Sequence, residues 1–246
     1  MSFIRRIQLC IICLICSAVS NKTMALSGAL RGCFMLCVLF LYMRGADALD
    51  VDQNTLAHII TYIQKTFSPG ADVQYAVAIN IPAQKCAAGF FPDQDKEFLA
   101  GNDPKTVKDC LNKRDIYESK TMIGAMPKNN AHSESRLLRR VGTGKSPMEN
   151  LLNQQNDSCV VFYTYNSPCL GTCLCGSSKY SILNLLKIFQ NHQGPEAFAF
   201  KKIFGSESRK QRRECFAKVN KEIRLYCCIT GECKACFNEG SFSKVC

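Results

Sequence analysis

Residues 158–169 read SCVVFYTYNSPC, and this stretch decides the fold. Ser158–Tyr165 is a short, near-continuous run of apolar, β-branched and aromatic residues, which predicts a strand buried on both faces. Asn166-Ser167-Pro168 ends the strand and delivers the chain to Cys169-Leu170-Gly171-Thr172-Cys173. A strand covered on both sides needs layers above and below it, so the stretch implies an α/β architecture.

The flanks agree. Downstream, Ser177–Asn191 is apolar over most of a helical circumference and predicts a helix lying against a sheet. Strand Ala197–Phe204, a basic helix Ser206–Asn220 and strand Ile223–Ile229 follow. Upstream, Ser146-Pro147-Met148-Glu149 is a capping box with proline at the first helical position, and it opens a short helix through Leu151 and Leu152. A helix from near Asn130 to Gly142, a strand near Thr121–Met126, strand Val73–Ile81 and helix Asp52–Phe67 complete the reading. In that first helix Leu56, Ile59, Ile60, Ile63 and Phe67 share one face. Residues 83–130 carry little periodicity. Alternating strands and helices predict a largely parallel sheet covered by helices, or a mixed sheet in α-β-α layers. The tail from Thr230 is cysteine-rich and reads as irregular.

The chain has 246 residues, a formal net charge of +11 and 17 cysteines, a load the reducing cytosol seldom tolerates without metal. Arg5 and Arg6 precede the apolar run Leu9–Val19. A second start-like segment follows at Met24, where Arg31 precedes Cys33–Met43 and then Gly45-Ala46-Asp47-Ala48. A basic flank, a short apolar run and an A-x-A end describe a signal peptide. Neither run approaches the ~20 residues of a membrane span, so stable membrane insertion is not expected. The expected division is a leader 1–48, with Met24 as an alternative start, a domain 49–229 and a cysteine-rich extension 230–246. Cleavage after Ala48 leaves 26 basic and 19 acidic residues, a net +7, and twelve cysteines. Two on a metal would leave ten for disulfides. Asn156-Asp157-Ser158 is a glycosylation sequon at Asn156.

Of the three histidines after the leader, His58 and His192 sit where helix packing or a helix end accounts for them. His132 is different. His132-Ser133-Glu134 opens a helix, and Pro168-Cys169-x₃-Cys173 follows the central strand. H-x-E followed by P-C-x-x-C is the zinc-deaminase signature. One imidazole and two thiolates give Zn²⁺ three ligands and leave a fourth position for water. Glu134, not a ligand, is the general acid and base. Residues two apart diverge by about 200° on a helix flank, so His132 and Glu134 converge on one site only at a helix end. Asn129-Asn130 puts them there. Cys175 competes with Cys173 as the second thiolate. Alternatively, Cys169, Cys173 and Cys175 are all disulfide partners and His132 is incidental.

Ala131–Glu134, the strand Val160–Tyr165 and Asn166-Ser167-Pro168-Cys169 resemble the AID/APOBEC-like cytidine deaminases. The leader and the cysteine load resemble the secreted novel AID/APOBEC-like deaminases in particular. The resemblance spans about Val73–Ile229. It implies a five-stranded mixed sheet with helices on both faces, hydrolysis of cytosine to uracil, zinc on His132, Cys169 and Cys173, and a proton shuttle at Glu134. Ser133 and the three-residue cysteine spacing depart from the commonest pattern. A role in immune defence is likewise implied only by resemblance.

Between Lys201 and Arg224 nine basic residues meet three acidic ones, and Lys201, Lys202, Arg209, Lys210, Arg212 and Arg213 suit a single-stranded DNA or RNA track. The same run also reads as a solvated helix face. Tyr163 and Tyr165 are either stacking surfaces or core. Two rival functions stand beside polynucleotide deamination. A deaminase of free cytidine nucleosides would ignore the basic helix, and a cationic, disulfide-stapled binding protein would hold no zinc.

Overall fold

The computed structural model describes residues 50–246 apart from 141, 156 and 177. The expected leader, its alternative start at Met24 and the sequon residue Asn156 lie outside the described residues. No helix among the described residues is long and apolar enough to cross a membrane.

Helix α1 (Gln53–Phe67) starts where the Asp52 carboxylate accepts the Thr55 amide at 2.8 Å. Strand β1 (Ala76–Ile81) follows, then α2 (Pro104–Asn112), β2 (Tyr117–Glu118) and β3 (Met122–Ala125). The short helices α3 (Ser133–Leu138) and α4 (Pro147–Leu152) precede β4 (Cys159–Asn166). The capping box at Ser146 and Glu149 is present in both directions. A single π-type turn (Leu170–Leu174) and a 3₁₀ segment (Leu186–Asn191) lead to β5 (Glu196–Lys202). Then come α5 (Arg209–Asn220), β6 (Leu225–Ile229), β7 (Glu232–Ala235), β8 (Phe237–Asn238) and β9 (Ser241–Phe242).

The main sheet runs β2-β3-β1-β4-β5-β6-β7. It has seven strands rather than the expected five, because β2 and β7 extend the two edges. It is mixed rather than largely parallel. Only β4, β5 and β6 run parallel, joined by connections long enough to cross over, and the remaining pairs are antiparallel.

Strand alternation divides the core into two. Val77, Ile79, Val161, Tyr163, Ala197 and Ala199 face α1 and α2. Ala76, Ala78, Val160, Phe162, Phe198 and Phe200 face α3, α4 and α5. On the second face Phe162 stacks on Phe198 with ring centroids 4.4 Å apart, and each such fully buried side chain stabilises the fold by about 1.5–3 kcal/mol. Tyr163 and Tyr165 belong to the first face, which settles them as core.

Three further expectations are corrected. Ser177–Asn191 is not one helix, because the Ile182 amide is committed to the Cys173 carbonyl at 2.8 Å and so cannot continue an i→i−4 ladder. Turns fill the interval and only Leu186–Asn191 is helical, as 3₁₀. The tail is not irregular. Thr230-Gly231 and Glu239-Gly240 each place two consecutive residues at positive φ, forming the tight loops of the β6–β7 and β8–β9 hairpins. Nor are ten cysteines paired. Four disulfides, Cys86–Cys159, Cys175–Cys215, Cys228–Cys233 and Cys236–Cys246, use eight of them. Cys110, Cys169, Cys173 and Cys227 are thiols.

Candidate metal centre

The chain approaches the centre through a two-residue turn. Asn129 and Asn130 have φ of 52° and 63°, and Lys128 and Ala131 exchange backbone hydrogen bonds of 3.0 and 2.9 Å across them. Asparagine tolerates this left-handed backbone better than most residues. His132 is then the N-cap of α3, half-buried, with Glu134 in the first turn. The second wall comes from β4. After Asn166 the chain turns through Ser167-Pro168, and Cys169 caps the π-type turn that carries Cys173. The site lies at the C-terminal end of the parallel strands, where α/β sheets place their ligands.

The three candidate ligands come together. The His132 Nδ1 lies 3.6 Å from Cys169 Sγ and 3.2 Å from Cys173 Sγ, and the two sulfurs are 3.5 Å apart. All three atoms lie within 4.8 Å of one another. Zn–S of about 2.3 Å and Zn–N of about 2.0–2.1 Å put the edges of a tetrahedron at roughly 3.5–3.8 Å, so this donor set fits a zinc ion. Cys175, the competing ligand, is bonded to Cys215. That disulfide ties the ligand loop to α5 two residues beyond Cys173. Gly176 seals the loop, because a Cβ there would sit 1.7 Å from the Gly171 carbonyl oxygen. The contact with Cys173, with help from His132, pulls the Cys169 thiol down to about 3, whereas Cys169 and burial push the Cys173 thiol up. The His132 imidazole is held above its ordinary value, chiefly by its contact with Cys169.

Glu134 is 1% exposed, yet its carboxylate has three donors. The Thr164 hydroxyl donates to Oε1 at 2.9 Å, Gln74 Nε2 to Oε1 at 3.3 Å, and the Ser133 hydroxyl to Oε2 at 3.2 Å. Burial still outweighs them and pushes the carboxyl pKa up. Gln74 is itself fixed, with Nε2 also 2.9 Å from Thr164 Oγ1 and 3.0 Å from Ser133 Oγ, and Oε1 accepting the Asn166 amide at 2.8 Å. Gln74 and Thr164 escaped sequence reasoning. The available signal was parity: they alternate in step with Ala76 and Ala78, and with Phe162, on the face that carries α3.

The basic residues expected at a nucleic-acid track differ in their surroundings. Lys201 is half-buried, donates to Gln64 Oε1 at 3.1 Å and lies over the Tyr165 ring. Arg209 donates to the Phe242 and Ser243 carbonyls and stacks on Phe242, while Arg212 donates to the Cys246 and Glu207 carbonyls. Arg209 thus holds the β9 end of the C-terminal hairpin and Arg212 the residue Cys246 beyond it. Lys202, Lys210 and Arg213 are exposed. His58 contacts the Phe90 carbonyl and stacks on Phe91, far in sequence from the ligands.

No curated protein and no solved structure matched the chain. A family model did: Secreted Novel AID/APOBEC-like Deaminase 1 matches residues 53–246, which includes the cysteine-rich tail as well as the metal centre. A histidine and two thiols able to hold a metal, a buried glutamate beside them and a match over most of the chain lead to one conclusion: the chain belongs to the secreted novel AID/APOBEC-like deaminase 1 family.

Proposed function

We propose that this protein is a zinc-dependent hydrolase that converts cytosine to uracil in single-stranded nucleic acid outside the cell. The observation that carries the reading is Glu134, a buried carboxyl held by three donors beside a three-ligand cluster of donor type and spacing suited to zinc. A bound zinc ion supplies Lewis-acid activation of a water at neutral pH. His132, Cys169 and Cys173 would hold that ion. The Glu134 carboxyl receives a proton from the water as its oxygen bonds to C4 of the base, and gives it to the ring nitrogen. The same carboxyl moves the next proton to the departing amine, so that cytosine and water become uracil and ammonia. Thr164, Ser133 and Gln74 keep the carboxyl in one orientation through these transfers. The four disulfides and the family's description as secreted support an extracellular setting.

The test is zinc content together with deamination. The purified protein is expected to hold about one zinc per chain, lost in His132→Ala. It should convert cytosine in a single-stranded oligonucleotide. Zinc-free wild-type protein with Cys169 and Cys173 oxidised would overturn the enzyme reading. Equal efficiency on free cytidine would move the substrate to nucleosides.

A further inference from the structure

Residues flanking His132 and Glu134 in sequence line a cleft of about 340 Å³ whose walls include Lys128, Arg136, Arg139, Arg140 and Tyr180. We propose that this cleft, rather than the basic helix α5, holds the sugar-phosphate backbone of a single-stranded polynucleotide. The proposal rests on the deaminase reading only for the choice of nucleic acid as the polyanion.

Three observations carry it. The first is position. One wall is made by α3 and the turn before it, with Ala131 and Ser135 lining the cleft on either side of His132 and Glu134. The other wall includes Tyr180, in the segment anchored to the ligand loop by the bond from the Ile182 amide to the Cys173 carbonyl. The cleft is therefore bounded by the segment that supplies His132 and by the segment that follows the Cys169–Cys173 loop.

The second is charge. Lys128 pairs with Asp115 at 3.3 Å and Arg140 with Glu149 at 2.6 Å. The other two cations have no carboxylate partner among the described residues. The Arg136 guanidinium donates to the Met126 carbonyl at 2.6 Å, and Arg139 donates to the Lys179 carbonyl and the Ser135 hydroxyl. Main-chain carbonyls orient a guanidinium without neutralising it. Two oriented guanidiniums without a carboxylate ion pair, Arg136 in the last turn of α3 and Arg139 at its C-cap, are a phosphate-binding arrangement, because the planar fork matches phosphate oxygens. Lys128, whose pair with Asp115 is exposed, adds a cation on the same wall, and Arg140 lines it while held by Glu149 through two hydrogen bonds.

The third is the contrast with α5. Arg209 and Arg212 there also donate to main-chain carbonyls and keep their charge, but neither lines this cleft. Tyr180, half-buried at the cleft, offers a ring face on which a base can stack, and α5 presents no aromatic of its own beyond buried Phe216.

The test is fluorescence anisotropy with a fluorescein-labelled twelve-nucleotide oligodeoxycytidine and the full chain purified from eukaryotic cells, titrated at several salt concentrations. Arg136→Gln/Arg139→Gln is expected to weaken binding about tenfold or more. It should also flatten the dependence of log K on log salt by roughly 0.7 for each phosphate left without its cation. Lys202→Glu/Lys210→Glu/Arg213→Glu is expected to weaken binding less than the cleft pair does. Single Arg139→Gln, at an exposed position, gives the same readout with a smaller slope change should the double variant fail to fold. Wild-type protein that does not bind the oligonucleotide, cleft variants that bind normally, or complete competition by equimolar cytidine monophosphate would each overturn the proposal. Binding is read separately from catalysis. Deamination of free cytidine without oligonucleotide binding would sink the cleft and leave the enzyme, and binding by a protein without zinc would do the reverse.

Discussion

The two ends of β4 handle buried ionisable groups in opposite ways. At its C-terminal end the Glu134 carboxyl has a donor on each oxygen, and Gln74 ties that carboxyl to the Asn166 amide of the strand itself. At its N-terminal end His192 and Glu196 are also withdrawn from solvent, but their partnering is incomplete. The His192 Nε2 donates to the Ser158 carbonyl at 2.7 Å and leaves Nδ1 alone, and Glu196 Oε2 has no partner among the described residues. Burial alone pushes Glu196 up to about 8, and burial lowers His192. The difference separates burial that shifts a group from burial that also orients it. A proton-transferring carboxylate needs both, and only the C-terminal end supplies both.

The sharpest way to break this comparison is chemical. Glu134→Gln keeps the shape and leaves the three ligands in place, so zinc content should stay at about one per chain while the deamination rate falls by about 10²–10⁴-fold. Retained activity would remove the proton-transfer role and leave the two ends of the strand equivalent.

The next largest effect concerns orientation, and it is read in stability rather than rate. Gln74→Glu places a second carboxyl against Glu134 and withdraws the donor. It should cost about 1–3 kcal/mol in denaturant unfolding. Adding Glu134→Gln restores a donor and an acceptor in exchanged positions, so the double variant should recover at least half of that loss while remaining inactive. Additive losses in the double-mutant cycle would show that Gln74 and Glu134 are not coupled.

A smaller effect is expected at the other end. A carboxyl whose folded pKa stands above its unfolded value contributes stability that is fully present below the unfolded value, near 4.5, and lost as pH rises through about 8. Glu196→Gln should therefore flatten the fall in stability between those limits. At pH 8.5 it should raise stability by on the order of 1–3 kcal/mol, a melting temperature higher by about 2–4 °C for each kcal/mol. His192, held low by burial, runs the other way. Its contribution is present above 6.5 and lost as pH falls through the lower folded value, so His192→Gln should soften the acid limb by less. If Glu196→Gln and the wild type show the same pH profile, the N-terminal end is better partnered than its geometry indicates.

Much of the site was legible because its signals are local. H-x-E needs a helix start, and the Asn129-Asn130 turn and the N-cap position of His132 are properties of neighbouring residues. The capping box at Ser146, the α1 stripe and the β4 strand are local in the same sense. The 177–191 segment misled because its periodicity is equally local, while the bond from the Ile182 amide to the Cys173 carbonyl is not. The tail misled differently. Its cysteines masked two Xaa-Gly turns, Thr230-Gly231 and Glu239-Gly240, that signal hairpins.

The order of residues by itself determined that this chain builds an α/β fold with a strand leading into a cysteine pair and a histidine at a helix start. Those features depend on backbone preferences within a few residues. Only the tertiary structure decided which thiols face the imidazole, since pairing Cys175 with Cys215 brings together residues 40 apart and frees Cys173 for the centre. It also decided that Gln74 and Thr164 hold Glu134, across separations of 60 and 30 residues. It gave Arg209 the Phe242 and Ser243 carbonyls and Arg212 the Cys246 carbonyl, across separations of 33 and 34 residues. A hydrogen-bond partner or a counter-charge is a matter of distance in space, and distance in space is fixed by how the sheet is ordered and how its faces alternate.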